Sequence, residues 1–146
     1  MDLFGKLIVE DCVEGEADMN EQLRKAIELE KRCFNMFTAM GWDTSTHMQT
    51  ELSPNHYFRP DITLSHNNEI IGCVEVKTSF NNDSRTMQHF VERVRFMLTE
   101  FKPTVFIFTN GYIFDLYLEG DYFNQLTFVP SPEDIALFLN SKKGGN

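Results

Sequence analysis

The amino-acid sequence predicts an α/β (α+β mixed) domain, a central mixed β-sheet flanked by helices in the order α-β-β-β-α-β-β-α. Three observations predict it. Two segments, 18–40 and 85–101, carry apolar residues at helical spacing. Short apolar runs such as IIGCVEV and TVFIFT are bounded by turn residues, as strands are. The length of 146 residues suits one domain, 1–146, built around one core.

Residues 1–16 form a short irregular or strand-like lead. Asp18 or Asn20 can cap the first helix, whose apolar stripe is Leu23, Ala26, Ile27, Cys33, Phe34 and Phe37, and Gly41 stops it. Its polar side holds Arg24, Lys25, Glu28, Lys31 and Arg32, where Glu28 can pair with Arg24 and Arg32. Residues 45–51 read as the first strand and SPNHYF, 53–58, as loop. Strands are expected at 59–65 and 70–78, joined by HNNE. Ser84 can cap a helix over 85–101, with stripe Met87, Phe90, Val91, Val94, Met97 and Leu98, ended by Pro103. TVFIFT, 104–109, is a buried strand. Asn110-Gly111 is a hairpin turn with positive φ at both central positions, and YIFDLYL, 112–118, pairs back. A further strand at 122–129 and a helix at 131–139 complete the chain, with 141–146 (SKKGGN) as a disordered tail.

Composition excludes several classes. No run of about 18 apolar residues exists, so no membrane span is expected. The N-terminus carries early acids and lacks the basic-then-apolar order of a secretory signal. Cys12, Cys33 and Cys73 are odd in number and without CxxC spacing, which disfavours a disulfide framework or zinc site and fits a reducing, cytoplasmic compartment. The formal charge of −9 opposes general affinity for nucleic acid, although a carboxylate metal site is acidic until loaded. No GxSxG, P-loop, Rossmann glycine pattern or HExxH occurs.

The chemistry lies in RPDITLSHNNEIIGCVEVKTS, 59–79. Alternation places Arg59, Asp61, Thr63 and Ser65 on one strand face, with Pro60, Ile62 and Leu64 toward the core. On the next strand Glu75 and Lys77 share a face opposite Val74 and Val76. A three-residue loop, Asn67-Asn68-Glu69, sets Asp61 opposite Glu75. A four-residue loop separates them unless a bulge restores the register. Two close carboxylates raise each other's pKa, and a divalent cation such as Mg²⁺ relieves the repulsion. Lys77 adds positive charge at the same spot, a set suited to phosphodiester hydrolysis. The alternative is an edge-strand surface with an ordinary ion pair, but the flanking IIGCV and Val76 favour a central strand. Glu30 falls on the first helix's apolar stripe, where an acid needs a partner.

Pro60-Asp61 followed fourteen positions later by Glu75-Val76-Lys77 resembles the signature of the PD-(D/E)XK nuclease superfamily. The placement on a hairpin between two helices, together with FIFTNGYIFDLYL, is similar to the N-terminal nuclease domain of type I restriction enzyme R subunits. The resemblance spans roughly 18–118 and implies a restriction-endonuclease-like core. It further implies a Mg²⁺- or Mn²⁺-dependent endonuclease acting on DNA, as a homodimer or within a larger restriction or defence complex. Asp61 and Glu75 would ligate the metal, Val76 would offer its carbonyl, Glu30 would support the site and Lys77 would assist catalysis. Gln88 matches the glutamine that related nucleases carry after the lysine strand, but Glu92 stands where a tyrosine is expected. His56 and Arg59, just ahead of Asp61, are candidates for substrate contact, a solvated loop being the plainer account of His56. Arg85, Arg93, Arg95 and Lys102 read as the solvated face of the second helix, with phosphate contact as the alternative. The rival functions are a catalytically silent binding or assembly module and an RNA-directed nuclease.

Overall fold

The computed structural model describes residues 19–46, 50–53, 56–77 and 91–144. Helix α1, Met19–Ala39, is followed by strands β1 (Asp43–Thr46), β2 (Thr50–Ser53), β3 (His56–Phe58), β4 (Ile62–His66) and β5 (Glu69–Val76). The described part of helix α2 spans 91–96 and runs into a π-helical turn, Met97–Phe101. Strands β6 (Val105–Thr109), β7 (Phe114–Leu118) and β8 (Asp121–Leu126) and helix α3 (Pro132–Gly144) complete the fold. The six-stranded mixed sheet has the order β1-β4-β5-β6-β7-β8, with β2-β3 a separate ribbon. Only the β5/β6 pair is parallel, because the chain crosses over through α2 between them. A six-stranded mixed sheet flanked by helices is compatible with a restriction-endonuclease-like core.

The two sheet faces differ. Ile62, Leu64, Val74, Val76, Val105, Ile107, Phe114, Leu116 and Leu118 pack with Leu29, Cys33 and Phe37 of α1 and Ile135 of α3 in the larger core. The opposite face, Cys73, Phe106, Phe108 and Tyr117, packs under Val94 and Met97 of α2. The core-facing stripe of α1 is therefore Leu29-Cys33-Phe37. Leu23 and Ile27, expected inside, are 61% and 47% exposed. Arg24 pairs with Glu28 at 2.7 Å as expected, whereas Arg32 turns to Gly111 O and the Tyr112 ring. Gly41, at φ 103°, ends α1: Gly41 N donates to Thr38 O and Trp42 N to Phe37 O, satisfying the last carbonyls. The Trp42 indole then donates to Pro130 O at 2.8 Å and ties the helix end to the loop before α3.

Several boundaries differ from expectation. The strand expected at 45–51 is two strands, β1 and β2, and the loop expected at 53–58 contains β3. Asn110-Gly111 is not a two-residue hairpin. Only Gly111 has positive φ, Thr109 pairs with Phe114, and Asn110 Oδ1 instead accepts from the Tyr112 and Ile113 N–H groups. The paired positive-φ turn lies at Asn67-Asn68, at 52° and 63°. Helix α3 continues through Ser141 to Gly144, where a tail was expected, and Lys142 Nζ donates to Leu118 O at 2.8 Å. The lead at 1–16, the cap candidates Asp18 and Ser84 and the first turns expected of the second helix lie outside the described residues. Among the described residues no helix is long and apolar enough to cross a membrane.

Candidate metal centre

The β4-β5 hairpin builds the site through its register. At the turn, His66 faces Glu69 and Ser65 faces Ile70, the pairing of the four-residue loop. A bulge between Leu64 and Ser65 then shifts the ladder, so Leu64 faces Gly72, Thr63 faces Cys73 and Ile62 faces Val74. Continued by one residue, this register sets Asp61 against Glu75. The bulge thus restores the face that the turn alone would have lost. Gly72 is required beside it: a Cβ there would stand 1.9 Å from Val105 O on β6.

Asp61 is half-buried and its Oδ2 accepts from Val76 N at 2.8 Å, which pins the carboxylate to the neighbouring strand. Glu75 lies on an interior strand and is 1% exposed, so the edge-surface alternative does not hold. Its Oε2 accepts from Arg93 of α2 at 2.9 Å. Its Oε1 is buried and has no hydrogen-bond partner among the described residues, and the same is true of Thr63 Oγ1 on the same face. Burial first and the neighbouring Asp61 charge second push the Glu75 carboxyl up to about 8, against the opposing influence of Arg93 and Lys77. Burial, aided by Glu75 and Asp61, also raises the Cys73 thiol well above its ordinary range, which keeps it protonated and inert. Lys77 is half-buried, and its N–H donates to Thr109 O at 3.0 Å, fixing the end of β5 against β6.

Asp61, Glu75, Val76 and Lys77 therefore come together at the C-terminal end of the parallel β5/β6 pair. Glu30 lines a cavity of about 420 Å³ with Ile27, Lys31, Phe34, Asn35 and Thr46, the last of which pairs with Ile62 next to Asp61. No group of three His, Cys, Asp or Glu side chains able to hold a metal forms among the described residues. Arg59 is exposed, one residue before the buried Pro60. His56 opens β3, its side chain lies outside what is described, and Gln88 lies outside the described residues altogether. The sequence makes Arg93 a solvated helix residue or a phosphate contact; the side chain is 46% exposed, yet it reaches the buried acid. The signal available was the acid itself, since a carboxylate in the interior needs a cation or a proton.

The residues fit a hard divalent cation. Mg²⁺ binds through one or two carboxylates and keeps several waters, and the unpartnered Oε1 of Glu75 beside Asp61 is an acceptor of that kind. No family model matches the chain, and no curated protein matches it. A solved structure described as a cryoEM structure of a DrdV-DNA complex is similar, with 16% identity and a TM-score of 0.47. The similarity covers 94% of this chain and 13% of that one.

Proposed function

We propose that the protein is a Mg²⁺- or Mn²⁺-dependent endonuclease of the PD-(D/E)XK type that hydrolyses phosphodiester bonds of DNA. The observation that carries this reading is the pairing of Asp61 with a buried, half-satisfied Glu75 beside Lys77. Asp61 and Glu75 would hold the cation, with the Val76 carbonyl as a further oxygen. When bound, the cation would supply Lewis-acid polarisation of water and of the phosphate. Lys77 would orient the attacking water and stabilise charge developing on the phosphoryl oxygens. The rigidity of the interior strand holds these groups in place before substrate arrives. One observation favours a non-catalytic binding module instead: the formal charge of −9 opposes a polyanionic partner.

The test is cleavage of single-stranded DNA, double-stranded DNA and RNA with Mn²⁺, comparing the wild type with Asp61→Ala and Lys77→Ala. The expected result is DNA cleavage that falls by at least about a hundredfold in either variant, the scale for removing one electrostatic stabiliser. Cleavage of RNA alone would correct the substrate. No cleavage by the wild type, together with no metal binding by calorimetry, would end the enzyme reading.

A further inference from the structure

Resting on that reading, we infer that Arg93 is the built-in counter-cation of the metal-free site. It gives up Glu75 when a divalent cation binds and then serves as a ligand for the substrate phosphate. Three features carry the inference. Arg93 Nη2 stands 2.9 Å from Glu75 Oε2, on the acid that the cation would need. The arginine side chain is 46% exposed, whereas the glutamate is 1% exposed. Arg93 can therefore swing into water without stranding a charge in the interior, a course closed to Glu75.

The ion pair is also incomplete. A guanidinium optimised to neutralise a buried carboxylate binds both oxygens, as a two-pronged fork. Here Oε1 has no partner among the described residues. The contact has the form of a displaceable placeholder rather than a locked structural pair. Charge points the same way: once Glu75 gives up its proton to bind a cation, Asp61 and Glu75 face Lys77 and Arg93, two acids against two cations among the described residues. A divalent cation added to that set leaves an excess of positive charge, which drives the most exposed member outward. A displaced Arg93, anchored on α2 above the same sheet face, remains within the charged mouth of the site. Its planar guanidinium matches a phosphodiester's oxygens.

The experiment follows the Arg93 guanidinium by ¹⁵N nuclear magnetic resonance, with the signal assigned by its loss in Arg93→Lys. It uses the whole chain, first in chelator, then with Mg²⁺, then with Mg²⁺ and uncleavable phosphorothioate DNA. Thermal denaturation is run in parallel. Mg²⁺ is expected to raise Tm and to speed hydrogen exchange of the Arg93 guanidinium at least tenfold, and DNA is expected to restore protection. Arg93→Gln is expected to raise KM for DNA about tenfold with a smaller change in kcat. Should that variant not fold, Arg93→Lys provides the same comparison. A rise in Tm with Arg93 still protected overturns the exchange while leaving the metal centre standing. No response of the wild type to Mg²⁺, in Tm or in spectrum, overturns both.

Discussion

Glu75→Gln should change the pH dependence of stability more than stability itself. Among the described residues, the groups facing Glu75 are Asp61 just ahead of β4, Cys73 on its own strand, Lys77 just past that strand's end, and Arg93 from α2. Burial and Asp61 raise its carboxyl from 4.5 to about 8. A raised carboxylate favours the folded state fully below pH 4.5, where both folded and unfolded chains are protonated. That contribution is lost as pH rises to 8, because the unfolded chain ionises freely and the folded one does not. At about 1.4 kcal/mol per tenfold change in proton affinity, roughly 4 kcal/mol is lost between pH 5 and pH 9. Glutamine carries no such proton, so the variant should gain on the wild type by that amount over the same interval. The assay is urea unfolding at both pH values with chelator present, so that no cation holds Glu75 ionised. Parallel stability curves for the two proteins would refute the burial argument.

The other expectations concern the same hairpin. Gly72→Ala forces a methyl group to within 1.9 Å of Val105 O, so the β5/β6 pair must separate. Overpacking of this kind costs about 3 kcal/mol or more, read as a lower urea midpoint at unchanged slope. Mg²⁺ affinity should rise close to tenfold between pH 6 and pH 7, because Glu75 must lose its proton to bind, and should level off above about 8. Calorimetry in buffers of different ionisation enthalpy checks this by counting the proton released, and a pH-independent affinity would contradict it.

Much of the fold was legible in the sequence because periodicity reports which face of an element is buried. The body of α1, its stop at Gly41, the buried strand at 105–109 and the helix after Pro130 all follow from residue pattern and, at Gly41, capping chemistry. What escaped was decided by neighbours the pattern does not show. Leu23 and Ile27 continue an apolar stripe, yet both side chains stay exposed. Asn110-Gly111 has the composition of a tight hairpin, but Gly111 lies against Leu29 and Arg32 of α1. There Asn110 caps two N–H groups from within a wider loop. Within the site, the residue pattern leaves the convergence of Asp61 and Glu75 conditional on the strand register. The bulge that meets the condition had a signal, a glycine inside a strand pattern at Gly72. Arg93 had none in its own surroundings, since nothing along α2 tells which arginine meets a buried acid on another strand.

A proton, Arg93 and the proposed cation would compete for one carboxylate, and that competition accounts for an acid in the interior at position 75. An ionised, unpartnered glutamate at this depth would cost several kcal/mol. A proton removes that cost, and burial with the Asp61 charge raises the carboxyl to about 8 against the opposing pull of Arg93. Arg93 removes part of it, but only at Oε2. A divalent cation shared with Asp61 removes the cost and the repulsion together, which neither of the others can do. A strand whose sole task was to hold the sheet would be better served by an apolar residue at position 75, as Phe108 serves in the facing position of β6. Once the proton is lost, the acid is the costlier choice unless a cation takes the proton's place, and that asymmetry is what supports the proposed metal centre.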